Sequence, residues 1–281
     1  MKRLEELTSD DVNKIVQETI QKVNDGSLTR HELKEFIEIE LGSDFLKNTI
    51  QGHGYTKPYG YAGDFQIIDF IYTYRKSEID KFRLWDEFFH QQEAPKAVRN
   101  RKDYFREKVA QRMREGGTLL NVASGPAREL HELYSENPRI NIKTTCIDMD
   151  ENAIEYAKML NHDYLGKIDF IHKNIFKFNT DNHFDIIWSA GLFDYFDNRA
   201  FILLLKRFKK WLKDNGEIII GNFNENYNPS RAYMEVFGEW YLIHRTEEQL
   251  YCLANQAGFA DSEISVGCES ENVNLFLHLK K

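Results

Sequence analysis

The sequence predicts an α/β chain: a mostly parallel sheet that ends in an antiparallel hairpin, preceded by a helical cap. Three observations carry this reading. From Thr118 onward, short apolar runs alternate with helical patterns, as in βαβ units whose parallel sheet is covered on both faces. The last two apolar runs, 261–268 and 272–279, are separated only by Ser270-Glu271 and their neighbours, which leaves room for a turn and not for a crossover helix. Residues 1 to about 115 show helical periodicity throughout.

In chain order, Val12, Ile15, Val16, Ile20 and Val23 recur at helical spacing and Gly26 supplies the stop. Thr29 with Glu32 makes a capping box for a second helix, closed by Gly42. A glycine- and tyrosine-rich loop follows over 52–63, and Asp64 then caps an aromatic helix running through Phe70 to Tyr74. Further helices are predicted over 79–89 and 95–113. Gly116-Gly117 marks the boundary between a helical cap and substrate subdomain, 1–115, and a sheet domain, 116–281. Strands are predicted at 118–122, 142–147, 168–172, 184–188 and 217–221, with helices at 127–136, 151–161 and 198–213. A helix at 246–257 precedes the hairpin. The segment 222–245 is too long and too aromatic for a plain connection and reads as a lid insertion.

Composition narrows the function classes. At 281 residues with 42% apolar side chains, a full core is expected. The net charge of −8 and the scattered basic residues argue against nucleic acid as the partner. Cys146, Cys252 and Cys268 are far apart and without metal spacing, and read as buried thiols in a reducing compartment. The start of the chain has no apolar leader and no run nears the roughly 20 residues of a bilayer span. The expectation is a soluble, cytoplasmic monomer or homodimer with a small-molecule partner.

The chemistry concentrates where the first strand ends. Leu119-Leu120-Asn121-Val122 runs into Ala123-Ser124-Gly125-Pro126-Ala127 and then a helical pattern, and Asp148 closes the second apolar run 23 residues after Gly125. Strand, tight turn, helix, strand and acid form a nucleotide-type cofactor site, the acid accepting from ribose hydroxyls. With a single glycine, the turn provides less of the close backbone approach that a dinucleotide pyrophosphate needs. A smaller, phosphate-free cofactor fits better, and S-adenosylmethionine is the candidate. Ala123, Ser124, Gly125, Asp148 and Met149 are the first contacts, Asn174 and Ile175 the adenine contacts. Ser189, Gly191 and Tyr195 lie at the fourth strand's end, and Arg101 is a partner for the cofactor's carboxylate. The run Asp148-Met149-Asp150-Glu151-Asn152 faintly resembles a calcium loop, but Ala153 and Met159 occupy its glycine and bidentate-acid positions. No metal site is predicted, and Asp150 or Glu151 is the cap of the next helix.

The acceptor side is read from the lid and the tyrosine-rich loop. Tyr55, Tyr61, Asp64, Asn222, Asn224, Arg231, Tyr241 and Arg245 are the candidate substrate contacts. Arg231 and Arg245 suit bidentate pairing with a carboxylate; the alternative is ion pairs with Glu235, Glu239 or Glu247. His244 reads as structural. A nitrogen acceptor must arrive deprotonated, so Tyr61, Glu235 and Tyr241 are the candidate catalytic groups.

Residues 118–281 resemble class I methyltransferases that use S-adenosylmethionine: 121–127 resembles the family's first motif, Asp148 its ribose acid and Asn174-Ile175 its adenine contact. Asn121, Ala123, Ala127 and Asn174 depart from the family's usual acid, outer glycines and adenine-side aspartate. The resemblance implies a Rossmann-like sheet and methyl transfer. A narrower resemblance, carried by Lys57-Pro58-Tyr59-Gly60-Tyr61-Ala62-Gly63-Asp64, by Ala97-Val98-Arg99-Asn100-Arg101, by 123–129 and by Trp240-Tyr241-Leu242-Ile243-His244-Arg245, is to a bacterial group identified as making the methyl ester of 3-hydroxypalmitic acid. The polar lid favours a compact acceptor, methylated on nitrogen or on a carboxylate oxygen. The alternatives are carboxyl methylation of a 3-hydroxy fatty acid and a non-catalytic S-adenosylmethionine- or nucleotide-binding regulator.

Overall fold

A computed structural model of the chain describes residues 7–281; the opening of the N-terminal stretch read above for an apolar leader lies outside them. The backbone divides into two compact units. One runs up to Lys96 and takes in Pro229–Tyr241; the other comprises Ala97–Asn228 and Leu242–Lys281. The division therefore falls upstream of residue 115, and the segment expected as a lid is split between the units.

The helices are α1 (Ser9–Asn24), α2 (Arg30–Phe36), α3 (Gly42–Asn48), α4 (Ile50–Thr56), α5 (Phe65–Tyr72), α6 (Asp80–Gln91), α7 (Glu93–Arg112), α8 (Arg128–Glu136), α9 (Glu151–Leu160), α10 (Asn198–Trp211), α11 (Arg231–Phe237) and α12 (Glu247–Gln256). The strands are β1 (Gly117–Val122), β2 (Ile142–Asp148), β3 (Ile168–His172), β4 (Phe184–Ser189), β5 (Leu212–Phe223), β6 (Ile264–Cys268) and β7 (Asn274–Lys280).

The first unit is helical, as its periodicity predicts. Thr29 and Glu32 form the predicted capping box, and Thr8 with Asp11 forms another at α1, whose Val12 and Val16 are buried. Phe45 packs edge-on against Phe82 and Trp85, with ring centres 5.6 and 5.3 Å away. The glycine-rich segment departs from expectation: its start is helix α4, capped by Thr49, and only 57–64 is a loop. A Cβ on Gly52 would lie 2.4 Å from the Leu46 carbonyl oxygen. Glycine is needed there for the approach of α4 to α3, not for a turn. Asp64 caps α5 as predicted, accepting from the Gln66 and Ile67 N–H groups.

The second unit is a seven-stranded sheet in the order β3-β2-β1-β4-β5-β7-β6. β1 to β5 are mutually parallel, and β7 runs antiparallel between β5 and β6. This is the predicted Rossmann-like architecture, with the terminal hairpin folded so that the last strand inserts. Successive β1 residues enter opposite cores: Leu120 and Val122 pack with Phe201, Phe208 and Leu250, whereas Leu119 packs with Phe105, Tyr134 and Phe276. Burial on both faces is why the strands read as unbroken apolar runs. Asp150 caps α9. Of the cysteines only Cys146 is buried; Cys252 and Cys268 are exposed, which corrects the expectation of three buried thiols.

Candidate active site

The chain builds outward from β1 to β2 and β3 on one side, then to β4 and β5 on the other. The carboxyl ends of β1 and β4 therefore mark the topological switch point, where open α/β sheets form a ligand crevice.

The turn after β1 holds Ala123, Gly125 and Ala127 at φ of 54°, 51° and 50°. The left-handed conformation costs alanine about 1–2 kcal/mol, so the backbone of a glycine-rich turn persists with alanine at its outer positions. Neighbouring bonds hold it there. The Ser124 N–H donates to the Ile147 carbonyl (3.2 Å) and the Gly125 N–H to Asp148 Oδ2 (2.9 Å). Asp148 Oδ1 accepts from the Asp150 N–H at 3.0 Å. Burial pushes the Asp148 carboxyl above the usual carboxylate range, against the pull of those N–H bonds. Ser124 Oγ is buried beside the Cys146 thiol without a hydrogen bond of good geometry.

Two acids that sequence reasoning passed over stand nearby. Asn121, in β1, donates to Glu129 Oε1 in the first turn of α8 at 2.9 Å, and both are buried. Burial raises the Glu129 carboxyl, opposed by the Asn121 amide and the Arg101 guanidinium. Asp194, in the short turn Phe193–Tyr195 after β4, is buried and accepts from the Phe223 N–H. Burial pushes it to about 7, against that bond and the fields of Arg101 and Arg245. The sequence signal for Asp194 was a carboxylate between two aromatics, three residues past Gly191.

The remaining cofactor candidates divide by role. Arg101, on α7, is buried; its Nη1 donates to the Ala190 carbonyl (2.8 Å), and a Cβ on Gly191 would lie 3.2 Å from that nitrogen. Ser189 Oγ donates to the Val122 carbonyl at 3.0 Å, joining β1 and β4. Asn174 Oδ1 caps the turn Ile175–Lys177, and Ile175 is buried. Met149 and Tyr195 are exposed side chains at this edge.

The acceptor candidates fall in both units. In the second, Arg245 is 2% exposed and donates to the Phe193 carbonyl (3.1 Å) and Asn222 Oδ1 (2.8 Å). Asn222 also donates to the Ile243 carbonyl, and Asn224 to the Asn272 carbonyl. Backbone carbonyls and an amide thus take the donors that sequence reasoning reserved for a carboxylate. His244 is buried between Asn228 and the Leu242 carbonyl. In the first unit, Asp64 is buried with His53 Nε2 within 3.0 Å of both oxygens. Arg231 pairs with Glu235 at 2.9 Å, following the ion-pair alternative. Arg30 sits 5.3 Å over the ring of Tyr241, which is half exposed, and Tyr61 is also exposed. Burial and Glu38 push the Tyr55 phenol up to about 12. Among the described residues no group of three or more His, Cys, Asp and Glu is arranged to hold a metal ion. No helix there is long and apolar enough to cross a membrane.

Residues 113–258, just over half of the chain, match the model of a family described as a methyltransferase domain. The chain belongs to that methyltransferase family. The matched stretch begins just after α7 and ends just past α12. No curated protein matches the chain by sequence. Among solved structures, a possible exported protein from Bordetella parapertussis is similar over 100% of this chain and 99% of its own, at 18% identity and a TM-score of 0.69. Magnesium protoporphyrin IX methyltransferase from Synechocystis PCC 6803, with S-adenosylhomocysteine bound, is similar over 67% of this chain and 86% of its own, at 10% identity and a TM-score of 0.52. The pyocyanin biosynthetic protein PhzM aligns over 67% of this chain and 58% of its own, at 13% identity and a TM-score of 0.52. At these identities the likeness is one of fold.

Proposed function

We propose that this methyltransferase uses S-adenosylmethionine to methylate a small molecule on nitrogen, with the cofactor held at the carboxyl ends of β1, β2 and β4. The observation that carries the reading is the buried Asp148 carboxylate fastened to the Gly125 N–H. The Gly125, Asp150 and Met149 N–H groups all bond to it, and a carboxylate has about four acceptor sites. The remaining acceptor capacity suits a ribose hydroxyl.

The donor set also fits the group. Asp148, Glu129 and Asp194 are buried at this edge, with Arg101 and Arg245 as the neighbouring buried cations. A surplus of buried acid is relieved by a cationic ligand, and S-adenosylmethionine brings a sulfonium and an ammonium. When bound, it supplies a methyl group activated by the positive sulfur. The chain's share is position and dryness: the turn and Asp148 fix the ribose end, Arg101 and Glu129 the amino-acid end, and Tyr195 covers the opening.

Acceptor recognition is assigned to the exposed Tyr61 and Tyr241 and to Glu235, which hold the acceptor nitrogen's proton balance. A second reading is carboxyl methylation of a 3-hydroxy fatty acid, favoured by the resemblance at 57–64 and 240–245 and needing no base.

Turnover separates these readings. Labelled S-adenosylmethionine incubated with a metabolite pool should yield S-adenosylhomocysteine and an alkali-stable methylated amine. An alkali-labile product marks an ester and supports the second reading. Binding without turnover across varied pools marks a regulator, and absence of binding overturns the cofactor assignment.

A further inference from the structure

Methyl transfer leaves one polar cluster of the second unit unused. Tyr104 on α7 lies 2.6 Å through its hydroxyl from His278 Nε2 on β7, and His278 Nδ1 is 2.9 Å from Glu217 Oε1 on β5. The carboxylate accepts, so Nδ1 carries a proton, and Nε2 shares the second bond with the phenol. Glu217 Oε2 is 3.6 Å from Arg112 Nη1. Sheet register sets this up: Glu217 pairs with Lys280 and Ile219 with His278, so Glu217, His278 and Lys280 share one face. Gly267 makes room, since a Cβ there would lie 3.0 Å from the Tyr104 hydroxyl.

This cluster borders a cavity of about 480 Å³ that Lys108, Arg112 and Lys280 also line, within the roughly 300–1,000 Å³ of small-molecule pockets. Glu217 is the single carboxylate in that lining, and His278 and Arg112 already engage it. Lys108 pairs with Glu107 at 3.1 Å and lies 4.9 Å over the Tyr104 ring. In a chain of net charge −8, the local balance is reversed. Glu217 precedes Asn222 by five positions along β5, about 16 Å at strand rise, so the cavity lies toward the opposite end of the strand from the cofactor edge.

We propose that this cavity is a second ligand site, which binds a small organic anion through its phosphate or carboxylate group. Lys108, Arg112 and Lys280 pair with the charge, the Tyr104 ring floors the cavity, and the Tyr104–His278–Glu217 chain holds α7 to β5 and β7 around it. The site stands apart from the methyl-transfer reading and does not depend on it.

The test is calorimetry and thermal unfolding of the full chain with inorganic phosphate, and separately with citrate, against chloride at matched ionic strength. Saturable binding of either anion, with a rise in Tm that chloride does not reproduce, is the expected result; the stronger binder tells phosphate from carboxylate recognition. Lys108→Ala with Lys280→Ala, folded by circular dichroism, should weaken that binding at least about tenfold, as expected for removing two charge contacts. Lys108→Arg with Lys280→Arg should retain it. The proposal is overturned if neither anion binds saturably, if the alanine pair binds as tightly as the parent, or if saturating S-adenosylmethionine displaces the anion.

Discussion

Asp148 is held by backbone N–H groups of Gly125, Met149 and Asp150, and the proposed function gives its remaining acceptor capacity to the cofactor's ribose. Asp148→Ala should therefore weaken S-adenosylmethionine binding by on the order of 1.5–3 kcal/mol, the cost of losing hydrogen bonds to a charged group; calorimetry on the folded variant checks this, and unchanged affinity would sink the ribose assignment. Asp194 makes a different demand. Its folded value of about 7 stands above the ordinary 3.8, because burial outweighs the Phe223 N–H and the two arginines. Between those values the folded state holds the proton more tightly than the unfolded chain. Its contribution to stability is thus full below about pH 4 and is lost as pH rises through 7. Asp194→Asn removes this dependence. Urea unfolding from pH 5 to 8 should show the parent losing about 2–3 kcal/mol relative to the variant, and a constant difference would show that Asp194 does not titrate in that range. Neither buried acid near Arg101 was legible as functional: Glu129 and Asp194 gain their meaning from Asn121, Arg101 and Arg245, which lie between 8 and 93 positions away.

Elements were more legible where local rules and packing agree. The capping box at Thr29, the Asp64 cap, the five parallel strands and the terminal hairpin all appear, because each is set by spacing within a dozen residues or by continuous burial. The segment 52–63 misled because glycine marks both turns and close helix contacts, and only the partner backbone of α3 distinguishes them. Gly52→Ala measures that difference. Helix propensity alone favours alanine by about 1 kcal/mol, whereas overpacking costs about 1–3 kcal/mol or more. With the backbone of Leu46 at 2.4 Å, the substitution should lower the unfolding midpoint, and a raised midpoint would return Gly52 to the role of a loop residue. The segment 222–245 is ambiguous for a related reason: Tyr233 and Phe237 are buried on α11, and a buried aromatic run and a substrate-facing one share a composition.

At the scale of the molecule, chain order and compact units disagree. Pro229–Tyr241 leaves the sheet's sequence to complete the helical unit, where Tyr233 packs edge-on against Phe88 at 5.4 Å and its hydroxyl bonds to Gln51. The proposed cofactor residues, from Arg101 through Tyr195, all belong to the second unit. This separation gives the methyltransferase assignment an internal control. Tyr233→Ala removes a buried aromatic of the first unit and should cost about 3–5 kcal/mol of its stability, seen as an earlier unfolding transition in urea. Affinity for S-adenosylmethionine, measured by calorimetry below that transition, should stay within about twofold of the parent, since changes in separate sites with no shared partners add independently. Turnover of the acceptor should fall, because Tyr61, Glu235 and Tyr241 are carried by the weakened unit. A matching loss of cofactor affinity would mean that the first unit helps to build the cofactor site, and the division of labour between sheet and helices would have to be redrawn.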